Sequence, residues 1–206
     1  MPTEYTSTFS LALPDSDRLK PVLQDIRETF TKIDSVMFPR NTSDPIDAYI
    51  SSNKWLSVAT SGVVGLPKQS ACRMCLSTDQ SIPTDTSTRV NLDTKDFDIQ
   101  NEGDTSNHKI TVTESGIYLI LGQVGWKGST VVDGKRYSAI IKVNGAIKKR
   151  VNLVPGASEF FDIPVECLLS LSAGDYIELY VWHNSGSNAT ILSYYDHTAL
   201  SVIKVA

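Results

Sequence analysis

The chain has 206 residues, 41% hydrophobic and 20% charged, enough for one large domain or a domain with an appendage. Its formal charge of −4 lacks the basic balance usual in nucleic-acid binders. No run approaches the roughly 18 apolar residues of a membrane span, and the opening Met-Pro-Thr-Glu-Tyr lacks a signal peptide's basic region and apolar core. Neither membrane insertion nor secretion by that route is expected.

Residues 1–14 read as an extended segment, with Tyr5, Phe9, Leu11 and Leu13 spaced for one strand face and Pro14 ending the run. No hairpin partner adjoins it. The segment is therefore either disordered or an anchoring arm that pairs with another protein by strand addition. Residues 15–38 read as one amphipathic helix, with Asp15 and Asp17 for N-cap chemistry, Pro21 in the first turn and Pro39 as the stop. Leu19, Leu23, Ile26, Phe30, Ile33 and Met37 follow the 4-3-4 spacing of a coiled-coil seam. With Leu23 and Phe30 at a, and Ile26 and Ile33 at d, the seam favours more than two helices. Under three heptads also suits a helix lying on its own domain, and both readings stay open. Residues 39–70 are a polar linker, in which Trp55–Ala59 and Val63–Leu66 could form a small hairpin.

From 71 to 206 the chain alternates short apolar runs with turn chemistry. Gly116–Trp126 is the run that organises it, because Ile117–Leu121 is apolar at every position. An antiparallel strand normally keeps one wet face, so this one asks for a second burial partner, in the same chain or another copy. Asp133-Gly134 and Asn144-Gly145 are hairpin signals, since type I′ turns need positive φ at both central residues. The second would join Tyr137–Val143 to Ala146–Leu153. Ala173-Gly174-Asp175 turns the chain between 159–171 and 176–183. In the first of these Phe161, Ile163, Val165, Cys167, Leu169 and Leu171 share a face, and Pro164 suits an edge or bulge. About ten antiparallel strands with no helix between them predict an all-β jelly-roll sandwich. Roughly 135 residues can bury about two-thirds of their unfolded surface.

No motif assembles a catalyst: His108, His183 and His197 lie in or beside loops, and there is no nucleophile elbow or phosphate loop. Cys72 and Cys75 have no second ligand pair, and on a strand they point to opposite faces, so no metal site or cofactor is expected. Two loop clusters, Trp182-His183-Asn184 and Tyr194-Tyr195-Asp196-His197, mix aromatic and planar polar groups in the manner of carbohydrate sites. The same aromatics could instead plug the sandwich ends or an assembly seam.

The residues also carry a resemblance. Phe97-Asp98, the Lys109–Val112 run, Gly116-Ile-Tyr118, Val143-Asn-Gly145, Leu171–Tyr176 and Leu200-Ser-Val202 resemble the globular heads of complement q-subcomponent and tumour-necrosis-factor ligands. Ser81-Ile-Pro83 ahead of Phe97-Asp98 resembles the versions of this module found in bacteriophage virion proteins. Ile120 and Gly122 stand where the family carries aromatics. The resemblance implies a homotrimeric head over 71–206, with Tyr118, Ile120, Tyr176 and Tyr180 as contacts near the threefold axis, or else as core. The expectation is a non-enzymatic virion knob or short fibre: a capsid decoration, collar or tail fibre held to other virion proteins through residues 1–38. A receptor-binding tip for host-surface carbohydrate is the rival reading, and a bacterial signalling or adhesive ligand of similar fold a distant third.

Overall fold

The computed structural model describes the backbone of 46–50, 53–58 and 64–65, and residues 69–193 and 196–206 in full. The chain divides into two compact units, Met1–Pro67 and Lys68–Ala206. The predicted arm and helix, with Leu23, Ile26, Phe30 and Ile33, lie outside the described residues.

The first unit contains a three-stranded antiparallel sheet of β1 (Ile46–Ile50), β2 (Asn53–Val58) and β3 (Val64–Gly65). The hairpin expected over 55–66 corresponds to β2 and β3, with Ser57 opposite Gly65. The sequence reading missed β1. Its Ile46, Ala48 and Ile50 alternate over only five residues inside a polar stretch.

The second unit is a sandwich of thirteen strands. In chain order these are β4 (Ala71–Cys75), β5 (Gln80–Ile82), β6 (Thr88–Arg89), β7 (Thr94–Asp98), β8 (Gly103–Asp104), β9 (Lys109–Thr111) and β10 (Gly116–Trp126). After a 3₁₀ turn at Gly128–Thr130 come β11 (Tyr137–Val143), β12 (Ala146–Leu153), β13 (Phe161–Leu171), β14 (Tyr176–His183), β15 (Ala189–Ile191) and β16 (Ala199–Lys204). One sheet runs β5-β15-β10-β16-β4-β7, with β13 on the other side of β10. The second runs β12-β11-β14-β9-β8, with β6 also on β14. Strands beyond the expected ten are two- or three-residue pieces such as β6 and β8, too short to show alternation.

The inward faces make one core, including Met74, Leu92, Tyr118, Trp126, Tyr137 and Ile177. Trp126 meets Tyr137 edge-on at 4.9 Å between ring centroids, and the His183 ring stacks on Tyr137 at 5.6 Å. Asn144 and Gly145, at φ +52 and +77, form the I′-type turn of the β11–β12 hairpin. Asp133-Gly134 is not a hairpin. Only Gly134 has positive φ, the Lys135 N–H donates to Val132 O, and the Gly134 N–H donates to Pro155 O, so the dipeptide is a turn within a loop. The proline in β13 is tolerated because that strand pairs with β10 alone.

Candidate functional site

The second burial partner demanded by β10 is a matter of parity. Its even positions face inward: Tyr118 and Ile120 are 0% exposed, and Gly122, Val124 and Trp126 are buried beside them. Tyr118 donates its hydroxyl to Glu114 O at 2.8 Å, and burial raises its pKa. Tyr118 and Ile120 were open to two places, a threefold seam or the core. They are core residues of a single head, because the strand turns them between the sheets. The β carbon that an aromatic at Gly122 would need lies 3.0 Å from both Leu179 Cδ1 and Val165 Cγ1, so any side chain there requires those two methyls to shift.

The odd positions face out. Leu119 stands opposite Leu168 of β13 on one side and Ile203 of β16 on the other, and Ile203 faces Ala71 of β4. Leu168 is 61% exposed. This is an apolar row four strands wide, flanked by half-buried Ile117. The next row is mixed: Glu166, Leu121 (36% exposed), Ser201, Arg73 and Phe97. A shallow depression of about 290 Å³ lies along it, lined by Leu121, Gln123, Pro164, Glu166, Ser201 and Arg73. Arg73 Nε sits 3.9 Å from an Asp96 carboxylate oxygen.

At the far end of this face Asp162 and His197 meet, Oδ1 to Nδ1 at 3.5 Å, beneath an edge-on contact of the Phe160 and His197 rings. Burial raises the Asp162 pKa and the nearby His197 opposes that rise. Gly125 makes the close approach possible, since a β carbon there would fall 2.7 Å from Asp162 Oδ1 and 2.9 Å from His197 Cβ.

The described residues of the two predicted carbohydrate clusters take up separate roles. His183 is in the core, with Nε2 3.0 Å from Ile82 O and Nδ1 2.9 Å from Ser185 Oγ, and burial holds its pKa below the ordinary imidazole value. Asn184 closes a loop instead, its Oδ1 accepting the Arg136 N–H at 2.8 Å. Asp196 is exposed and its carbonyl accepts from Gln123 Nε2, while Tyr194 and Tyr195 lie outside the described residues. Trp182 is half-buried on the outer face of the second sheet. Tyr176 and Tyr180 share that face, beneath Lys109 Nζ at 4.8 Å and Lys142 Nζ at 3.5 Å from their ring centroids. They therefore lie on the sheet opposite the Leu119 row and do not join it.

Cys72 and Cys75 are buried thiols. Burial, then the Asp98 and Glu102 charges, pushes Cys72 up to about 12, which keeps the free thiol protonated and unreactive. Among the described residues no three His, Cys, Asp or Glu side chains are placed to hold a metal ion, and no helix is long and apolar enough to cross a membrane. The apolar row is what the sequence reading missed. Its signal was Leu168, an apolar residue between Glu166 and Ser170 on the outward face of β13.

Solved structures share this architecture. Murine APRIL at pH 5.0 superposes with a TM-score of 0.54 at 16% identity, over 67% of this chain and 100% of its own. The head has the jelly-roll fold. Murine APRIL at pH 8.5 gives 0.51 at 18% identity over the same shares, and the globular domain of zebrafish complement 1qA gives 0.48 at 11%, over 68% of this chain and 98% of its own. At these identities the likeness is one of fold alone. No protein-family model matches the sequence, and no curated protein matches it significantly.

Proposed function

We propose that the protein is a non-enzymatic structural component of a bacteriophage particle, a homotrimeric knob or short fibre whose head assembles through the outer face of the β10 sheet. The observation that carries the trimer is the row Leu168, Leu119, Ile203 and Ala71, which places apolar side chains on a face otherwise open to water. Burying the exposed Leu168 there on association would contribute at most about 1.5–3 kcal/mol, and the half-buried Leu119 and Ile203 less each. The jelly-roll fold supports the same reading, because the resemblance carried by Gly116-Ile-Tyr118 and Leu171–Tyr176 implies a threefold head. The virion role draws support from Ser81-Ile-Pro83 and Phe97-Asp98, the phrases resembling phage versions of the module, and from the arm-and-helix pattern of residues 1–38 as an attachment to other virion proteins.

Light scattering on the full chain is the direct test of assembly. The expected mass is three chains for the wild type and one for Leu119→Lys, with the β-type circular dichroism of both alike. A wild-type monomer overturns the reading. The particle assignment is tested by labelling phage particles with antibody against the head. Signal at a fixed capsid, collar or tail position is expected, and unlabelled particles that lack the chain by mass spectrometry refute it.

A further inference from the structure

The chain as a whole is acidic, yet residues 134–158 hold Lys135, Arg136, Lys142, Lys148, Lys149 and Arg150 and no Asp or Glu. The I′ hairpin of β11 and β12 gathers four of these at the edge of the second sheet. Among the described residues none of the six forms an ion pair, although the charge of Lys148 acts on Asp175; Arg89, in contrast, holds the buried Glu178 at 3.3 Å. Positive charge left unneutralised on a rigid strand surface is an electrostatic site for anions.

Aromatic groups stand among these cations. Arg150 lies opposite Ile140, which lies opposite Tyr180, and the next row along is Asn152, Ser138 and Trp182. Strands about 4.8 Å apart put Arg150 and Tyr180 about 10 Å from each other on one flat face. Lys142 caps the Tyr180 ring and leaves its charge on the surface. Ser138 Oγ donates to Asn152 Oδ1 at 2.7 Å, which fixes the amide and leaves its NH₂ free to donate.

We infer that this outer face of the second sheet binds an acidic polysaccharide. The Trp182 indole would take the apolar face of a sugar ring, Asn152 a hydroxyl, and Arg150 with Lys142 the carboxylates of successive uronic-acid units. Charge on the ligand is required because the unpaired cations dominate the face. A sugar ring fits better than a nucleobase because one ring face of Tyr180 is already covered by Lys142, which leaves Trp182 as the single stacking platform rather than a series. The face belongs to one head and lies on the sheet opposite the Leu119 row, so it does not depend on assembly.

Polygalacturonate, neutral dextran and a thymidine oligonucleotide, each immobilised, serve as probes for the full chain, with light scattering on the same samples. Wild type should bind polygalacturonate in low salt and release it as salt screens the charges, leave dextran unbound, and bind the oligonucleotide at least about tenfold more weakly. The Lys148→Glu, Lys149→Glu, Arg150→Glu triple variant, altered only on an exposed edge strand, should lose at least about tenfold in affinity with its circular dichroism unchanged. Trp182→Ala should weaken binding severalfold with the salt dependence preserved. Absence of polygalacturonate binding overturns the proposal, as does oligonucleotide binding of equal strength or an unaffected Trp182→Ala. A failed trimer shows instead in the mass.

Discussion

Asp98 shows what one side chain does for this head. It ends β7 with its side chain only 7% exposed, accepting the N–H groups of Glu102 and Gly103 at 2.8 and 3.0 Å and Lys95 Nζ at 2.7 Å. Burial alone would raise its pKa, but Lys95 and the two N–H groups outweigh burial and hold the carboxyl below its ordinary value of 3.8. A depressed folded-state pKa contributes stability that is present above that ordinary value and lost as pH falls through the folded one. Asp98→Asn should therefore cost about 1–3 kcal/mol at pH 7 and flatten the acid limb of a stability curve measured by urea unfolding. Equal acid sensitivity in the variant and wild type would place that loss in another carboxylate. None of this was legible in the sequence, where Phe97-Asp98 served only as part of a resemblance. The N–H partners of Asp98 come from a turn four and five residues on and Lys95 from three residues before it, and nothing in the composition of that turn marks it. The choice between seam and core at Tyr118 and Ile120 is of another kind. The strand was read correctly as apolar on both faces, and parity alone decides which residues meet the core. Sequence fixes the alternation but not its phase when both faces are apolar.

Elements with strong turn chemistry were the readable ones. Tyr137–Val143 and Ala146–Leu153 occur with the expected limits because Asn144-Gly145 supplies two positive-φ positions between alternating runs. Asp133-Gly134 carries a comparable turn signal and makes no hairpin, because a 3₁₀ turn and a loop precede it in place of a strand. Leu168 was legible as an apolar residue between Glu166 and Ser170 on the outward face of β13. Recognising its row required knowing that β10 lies between β13 and β16, a long-range pairing that local pattern does not encode. The hairpin can be tested by Gly145→Ala. At φ +77 an alanine pays the left-handed penalty of roughly 1 kcal/mol, which for a head of this size lowers the melting temperature by about 4 °C. Gly156→Ala is the matched control, since its β carbon meets nothing within 4 Å and its φ carries no such penalty. Equal melting temperatures for the two variants would mean that the turn does not constrain the fold as described.

At the scale of the whole molecule, the sandwich presents two outer faces of opposite chemistry. The β10 sheet carries the apolar row of Leu168, Leu119 and Ile203, and the β11–β14 sheet carries Arg150, Lys142, Tyr180 and Trp182. Association through the first, as proposed, would turn the second outward on every copy, so assembly would multiply the charged face instead of hiding it. Three linked heads meeting a polymer convert the second and third contacts into intramolecular ones, which can raise apparent affinity by about 10²–10⁴-fold without any new contact. The two proposals thus make a joint prediction. Leu119→Lys, tested as a monomer, should bind a short galacturonate oligomer as wild type does, because a single head suffices for it. On immobilised polygalacturonate the same variant should bind at least about tenfold more weakly, through faster dissociation. If a monomeric variant and a trimeric wild type leave the polymer at equal rates, the charged faces do not act together on one chain of sugar. If the variant instead loses the short oligomer as well, the site spans two copies and is not confined to the β11–β14 face of one head.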